Sequence, residues 1–140
     1  MRRVLVDTGP IVAVLSPTDA NHHRCVDQLR KLRSPLVTCW PVLIETAWLL
    51  RNDPSAIAIL MKSFPAGLFE LARLEASDLA PVEDILHHYR NLNLQVADGV
   101  LLHLANREKI HTVFTLDRRD FGAVRLKTGE KLEIIPSTDK

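Results

Sequence analysis

The chain has 140 residues, of which 46% are hydrophobic and 25% are charged, values close to those of globular proteins. This composition excludes a largely disordered chain, and the length fits a single domain, which we expect to span residues 1–140. The 18 Lys and Arg residues nearly balance 17 Asp and Glu, and the formal charge of +1 excludes a polybasic nucleic-acid-binding protein. Because no apolar run approaches transmembrane length and two cysteines make no disulfide framework, we expect no membrane association and a cytoplasmic location.

Short apolar runs typical of buried strands alternate with helical patterns along the whole chain. Strands are predicted at 4–6, 36–39, 69–74, 112–116 and 132–135, and helices at 10–15, 20–32, 41–51, 54–64, 77–91 and 97–108. Pro10 is predicted to begin the first helix and Asp53 to cap the fourth. Alternation of this kind predicts an α/β fold, a three-layer α/β/α sandwich with a mostly parallel central sheet.

Four carboxylates lie in unusually apolar surroundings. Asp7 ends the run 4–6, Glu45 interrupts the run 42–50, Asp98 lies between Ala97 and a run of leucines, and Asp117 closes the strand 112–116. An ionised acid is almost never fully buried without a partner, because its desolvation is costly. No Lys or Arg follows the same pattern, so the sequence indicates a cation from outside and hence a divalent-metal site.

The predicted topology brings these acids together. Asp7 and Asp117 directly follow strands, and ligands of open parallel sheets bind at the carboxyl ends of the strands. Glu45 lies on a helix that follows a strand. Asp98 shares the inward face of its helix with Leu101 and Leu102. We therefore expect the four acids to converge on one pocket.

Local structure offers an alternative for three of the acids. Asp7 can begin a turn, Asp98 can be a helix N-cap, and Asp117 can cap the short turn 118–121. Glu45 has no such alternative, because a mid-helix Glu among bulky apolar residues makes no capping bond. Asp120 is a fifth acid, which we interpret as an exposed turn residue.

Four segments, in order, resemble the acidic motifs of PIN domains. They are Val-Leu-Val-Asp-Thr-Gly-Pro at 4–10, Pro-Val-Leu-Ile-Glu-Thr-Ala at 41–47, Gln-Val-Ala-Asp-Gly-Val-Leu-Leu-His-Leu-Ala at 95–105 and Val-Phe-Thr-Leu-Asp-Arg-Arg-Asp-Phe at 113–121. The terminal segment 132–136 fits as well, so the resemblance spans nearly the whole chain. It is nearest to the small VapC-like ribonucleases, the toxins of type II toxin–antitoxin pairs. Many members have Ser where Gly9 stands, so a hydroxyl near the metal is missing here.

The resemblance implies an Mg²⁺- or Mn²⁺-dependent endoribonuclease that hydrolyses RNA phosphodiester bonds. We assign Asp7 and Asp98 as direct metal ligands and Asp117 as a direct or water-mediated ligand. Glu45 is the fourth catalytic acid, which orients water or completes the outer coordination sphere of the metal. The resemblance also implies a homodimer inhibited by an antitoxin protein that covers the acidic pocket.

Other residues near the motifs can support the metal or contact the RNA. Thr8 and Thr115 can fix carboxylates or a metal-bound water, and Arg118 and Arg119 can contact RNA phosphates, although surface Arg residues are common. We expect Trp48 to pack in the core, with base stacking as the alternative. The helix 54–64 has more apolar residues than one core-facing stripe needs, which indicates either a protein interface or a fully buried helix.

Three other classes of protein also place an acid after a first strand or adopt this fold. A haloacid-dehalogenase-type phosphotransferase needs an Asp-x-Asp pattern, but Gly9 stands where the second Asp belongs. A response-regulator receiver needs a mid-chain phospho-acceptor Asp and a late strand-end Lys, and neither is evident. The third alternative is a non-toxin or non-catalytic PIN domain that binds RNA or acts as an adaptor.

Overall fold

The computed structural model describes residues 2–138. Strands alternate with helices as the sequence predicts. The strands are β1 (Leu5–Val6), β2 (Leu36–Thr38), β3 (Phe69–Leu71), β4 (Thr112–Phe114) and β5 (Glu133–Ile135). The helices are α1 (Thr8–Leu15), α2 (His22–Arg30), α3 (Trp40–Leu49), α4 (Pro54–Lys62), α5 (Leu79–His88), α6 (Val96–Glu108) and α7 (Arg118–Ala123), and a 3₁₀ turn at Ala76–Asp78 precedes α5.

All five strands belong to one parallel sheet with the order β3-β2-β1-β4-β5. Leu5 of the central strand is in register with Val37 on one side and Val113 on the other. The chain moves outward from β1 to β3, then returns to the other side of β1 to form β4 and β5. This reversal places a topological switch point between β1 and β4, where ligands of such sheets bind. The predicted α/β class with a parallel sheet is confirmed.

The sheet and helices share one hydrophobic core. Its largest fully buried side chains include Phe114, Leu5 and Leu101. Cys25 and Cys39 are buried free thiols within it, as expected of small core residues. Among the described helices, none combines the length and the apolarity that a membrane crossing requires.

The first helix begins earlier than predicted. The segment 8–10 is not a turn but the first part of α1, because the Asp7 carboxylate caps the helix by accepting a hydrogen bond from the Thr8 N–H. Pro10 lies inside the first turn, where the N–H that proline lacks has no helical partner in any case. The Asp53 cap is confirmed, since its side chain accepts from the Ala56 N–H at 3.1 Å.

Other boundaries shift in both directions. All five strands and helices α2, α4 and α5 are shorter than predicted, α3 and α6 each begin one residue earlier, and α3 ends two residues earlier. The predicted turn at 118–121 is a short helix, α7. None of these shifts moves a predicted site acid away from the sheet edge that follows β1 and β4.

Candidate metal centre

A single open cleft of about 510 Å³ lies at the carboxyl edge of the sheet, and five acids line it. They are Asp7, Glu45, Asp98, Asp117 and Asp120. Its remaining wall is made by Thr8, Gly9, Leu49, Asn93, Gln95 and Leu116, so none of the basic side chains that the structure describes lines it. The four acids selected from the sequence therefore meet in one place, each from a different element.

Asp7 lies at the centre of the site because β1 is the central strand. Its backbone N–H donates to the Phe114 carbonyl at 3.0 Å, which extends the β1–β4 pairing by one residue. Its carboxylate accepts from the Thr8 N–H on Oδ1 and from the Thr115 hydroxyl on Oδ2, both at 2.8 Å. Each oxygen retains a lone pair, so these bonds fix the orientation of the carboxylate without using its full capacity to accept.

Glu45 lies on α3, one helical turn before Leu49, and both residues face the cleft. The Thr8 hydroxyl donates to Glu45 Oε1 at 2.8 Å. Because Thr8 is the first residue of α1, this bond ties the helix that follows β1 to the helix that follows β2. It also leaves Glu45 Oε2 without a described protein donor.

Asp98 is the third residue of α6, not its N-cap. The N-cap is Gln95, whose side chain accepts from the Asp98 backbone N–H, while Asp98 Oδ2 accepts from the Gln95 N–H at 2.9 Å. This reciprocal capping box holds the carboxylate of Asp98 by one oxygen. The N-cap position expected as the alternative for Asp98 is therefore wrong, although its carboxylate belongs to the capping box and also lines the cleft.

Asp117 is the N-cap of α7, and its Oδ1 accepts from the Asp120 N–H at 3.1 Å. The Thr115 hydroxyl connects it to Asp7, because this buried oxygen accepts from the Asp117 N–H at 3.0 Å while it donates to Asp7. Asp120 lies beside Asp117 in the cleft and is half-buried, whereas an exposed turn residue was expected.

The electrostatics of the cleft disfavour several negative charges at once. The pKa of Asp7 is raised to about 6, mainly by burial; its two hydrogen bonds oppose the rise, and the charges of Asp98 and Glu45 contribute to it. Burial and the neighbouring carboxylates also raise the pKa of Asp98, despite its bond from Gln95. Within residues 2–138, no Lys, Arg or His forms an ion pair with any of the five acids.

The donor set fits a hard divalent cation. Carboxylate oxygens are the ligands that Mg²⁺ and Mn²⁺ prefer, and the cleft contains neither His nor Cys. Throughout the described residues, no three His, Cys, Asp or Glu side chains already stand close enough to hold an ion.

Two other sequence candidates lie outside the cleft. The Arg118 guanidinium donates to the carbonyls of Ile134 and Pro136, which ties it to the end of β5. Arg119 is exposed and does not line the cleft. The core position expected for Trp48 is wrong: the side chain is 62% exposed and stacks under the Arg51 guanidinium, 3.9 Å from the ring centroid.

Sequence patterns missed two polar residues of the cleft, Asn93 and Gln95. Asn93 lies in an irregular segment with no periodicity to indicate which way it faces. Gln95 was missed because the capping-box signature has Ser, Thr, Asp or Asn at the N-cap, whereas here a Gln takes that position.

Comparisons with known proteins agree with this architecture. A family profile described as PIN domain matches residues 4–126. Ribonuclease VapC26 of Mycobacterium tuberculosis is 26% identical over 135 residues, which cover 95% of this chain and all of that protein. The crystal structure of VapC20 of Mycobacterium tuberculosis, described as a sarcin-ricin loop cleaving toxin, superposes with a TM-score of 0.78. The superposition covers 89% of this chain and 97% of that one at 16% identity, and shows a shared fold.

Proposed function

We propose that this chain, which belongs to the PIN domain family, is a divalent-metal-dependent endoribonuclease that hydrolyses RNA phosphodiester bonds. The observation that carries the proposal is the meeting of five carboxylates in one cleft without a basic neighbour. RNA as the substrate is supported by the full-length similarity to a protein named as a ribonuclease. The cofactor is Mg²⁺ or Mn²⁺.

Asp7, Asp98 and Asp117 are the proposed metal ligands. Each uses a carboxylate oxygen for a bond to its own backbone region and keeps acceptor capacity towards the cleft. When bound, a divalent ion would lower the pKa of a water and offset charge on the transferring phosphoryl group.

The remaining residues orient this set. Thr115 holds Asp7 and the Asp117 backbone in one arrangement through its buried hydroxyl. Thr8 holds Glu45, whose second oxygen can accept a hydrogen bond from the attacking water and so orient it towards phosphorus. Such fixed positions favour in-line attack because no side chain has to be ordered during the reaction.

Cleavage of a mixed RNA pool tests the proposal directly. We expect cleavage with Mn²⁺ or Mg²⁺, none in EDTA, and loss of more than about 100-fold in Asp7→Asn, which removes a ligand and keeps the shape of the side chain. Asp84→Asn, an exposed α5 acid outside the cleft, is the control. Metal-independent cleavage, or full activity of Asp7→Asn, would contradict the assignment. RNA binding without any cleavage would favour a non-catalytic PIN domain instead.

We further propose that the chain is the toxin of a type II toxin–antitoxin pair in the cytoplasm, where its RNA substrate would be. Support comes from the similarity to proteins of the VapC group. An antitoxin would then inhibit by covering the acidic cleft. Expression of the wild-type chain should arrest bacterial growth, whereas Asp7→Asn should not, and equal growth of both strains would remove the toxin proposal.

A homodimer is part of the same proposal. Trp40, Ile44 and Trp48 lie one turn apart on α3, and all three are more than half exposed. An exposed apolar stripe of this length is typical of a protein interface. Light scattering should give twice the chain mass of 15.8 kDa, and Ile44→Asp should return the mass to one chain. Leu79→Asp changes an exposed leucine on α5 and should leave the dimer intact; a monomeric wild-type protein would contradict the proposal.

A further inference from the structure

Two adjoining surface clefts outside the acidic site together have four basic residues and one acid in their lining. The first, of about 370 Å³, is formed by Arg2, Lys31 and Arg33 with Val4 and Leu32. The second, of about 420 Å³, follows α2 and is lined by Arg24, Asp27, Gln28, Lys31, Pro136 and Ser137. Because Lys31 lines both, they form one surface, which we name the basic groove.

Most of the positive charge in the basic groove is not neutralised. Lys31 and Arg33 are exposed, and within residues 2–138 neither side chain has a hydrogen bond or an ion pair. Arg2 pairs with Glu133 at 2.8 Å. Asp27 is the one acid that lines the groove among the described residues, and it faces Arg30 at 4.0 Å. The positive charge of Lys31 also offsets the partial negative charge at the carboxyl end of α2. Arg33 lies beyond the helix and has no such role.

The basic groove extends from the vicinity of the acidic cleft to the opposite edge of the sheet. Pro136 and Ser137 line the groove directly after β5, at the carboxyl edge of the sheet where the cleft lies, whereas Val4 lines it just before the buried strand β1, at the opposite edge. On the surface, Arg118 connects the two sites, because it follows Asp117 of the cleft and donates to the carbonyl of Pro136, which lines the groove.

The distribution of charge over the chain indicates that the basic groove binds a polyanion. Five of the 17 acids line the cleft, so 12 acids accompany 18 basic residues over the rest of the chain. A polyanion is repelled by the cleft itself, and a bound divalent ion offsets only part of that repulsion. Affinity for a nucleic acid must therefore come from cations outside the cleft, through contacts with phosphates.

We propose that the basic groove binds the backbone phosphates of the RNA segment that flanks the scissile bond. The inference rests on the proposed ribonuclease function and adds a second contact region to it. Recognition of phosphates is blind to base sequence, so the groove adds affinity and orientation, and not a choice of cleavage site. Only an RNA long enough to extend beyond the cleft reaches the groove.

Fluorescence anisotropy with a labelled single-stranded RNA of about 40 nucleotides tests the groove in EDTA, where metal chemistry cannot contribute. Lys31→Glu/Arg33→Glu should lower the affinity at least about tenfold and reduce the slope of log affinity against log salt by about 1.4, as expected for two lost phosphate contacts. The control, Lys62→Glu/Lys127→Glu, makes the same change in net charge at exposed residues outside both clefts and should bind within about twofold of the wild type.

Each outcome decides the inference. Unchanged binding by the groove variant, or an equal loss in the control, overturns it. The milder Lys31→Gln/Arg33→Gln variant should also bind RNA more weakly than the wild type. Because it removes the two positive charges without adding negative ones, it distinguishes a loss of phosphate contacts from a folding defect caused by the charge reversal. Metal-dependent cleavage of the RNA pool by the same wild-type preparation separates the two proposals. If the wild type cleaves RNA and the groove variant binds RNA as tightly as the wild type does, only the proposed role of the groove is refuted. If the wild type does not cleave RNA, the proposed function is refuted.

Discussion

Asp7→Asn should make the metal-free protein more stable. The carboxyl has an ordinary pKa of 3.8, and burial raises its pKa to about 6 in the folded chain. One unit of pKa corresponds to 1.36 kcal/mol, so ionisation of Asp7 costs up to about 3 kcal/mol of folding free energy at neutral pH. The neutral amide removes this cost. Its oxygen can still accept from the Thr8 N–H, and its NH₂ can donate to the Thr115 hydroxyl oxygen.

The pH dependence has a definite sign. Below pH 3.8 the carboxyl is protonated in both states, and wild type and variant should differ little. As pH rises from 3.8 to about 6, the unfolded chain loses the proton before the folded chain does, so the wild-type protein becomes progressively less stable. The advantage of Asp7→Asn should therefore grow over this range and stay constant above it.

Thermal unfolding followed by circular dichroism measures this effect in EDTA at about pH 4.5 and pH 7.5. We expect a rise in Tm of several degrees at the higher pH, since about 1 kcal/mol shifts Tm by roughly 2–4 °C in a chain of this size, and a smaller rise at the lower pH. Asp84→Asn, on the exposed face of α5, should change Tm little at either pH. An Asp7→Asn protein that is no more stable than wild type at pH 7.5 would refute the assignment of Asp7 as a half-buried acid without a cationic partner among the described residues.

Further substitutions test other parts of the structure. Thr115→Val removes the hydroxyl shared by Asp7 and Asp117, and should reduce RNA cleavage at least about tenfold and the free energy of unfolding by about 1–3 kcal/mol. Thr38→Val, which removes a buried hydroxyl bonded to the Val6 carbonyl, should lower stability similarly and leave cleavage nearly unchanged; equal loss of cleavage would contradict a positioning role for Thr115. Leu101→Ala opens a cavity in the core and should reduce the free energy of unfolding in urea by about 2–5 kcal/mol, and a smaller loss would indicate a core that collapses around the site.

The fold and the meeting point of the acids followed from the sequence for a physical reason. In a parallel sheet every carboxyl end lies at the same edge, so residues that directly follow buried strands, such as Asp7 and Asp117, share that edge, and they meet because β1 and β4 are neighbours. Glu45 could be identified as a site residue from the sequence because an acid in the middle of an apolar helix needs a partner for its charge. The structure supplies one partner for it, the hydroxyl of Thr8.

Other features could not be predicted because local patterns do not determine tertiary contacts. Helix α3 is apolar on most sides, so nothing in its sequence indicated that Trp48 would face away from the core. The start of α1 was missed because Thr-Gly-Pro is typical of a turn, whereas the Asp7 cap and the tolerance of a first turn for Pro10 favour a helix. Asn93 lies in an irregular segment, where sequence gives no direction.

The most direct test of the central claim is the position of a bound cation. Crystals grown with Mn²⁺ and measured by anomalous diffraction should show a peak in the acidic cleft within coordination distance of Asp7, Asp98 and Asp117, and no such peak in Asp7→Asn crystals. A cleft without a peak at an Mn²⁺ concentration that supports RNA cleavage, or a peak held by residues elsewhere, would contradict the account.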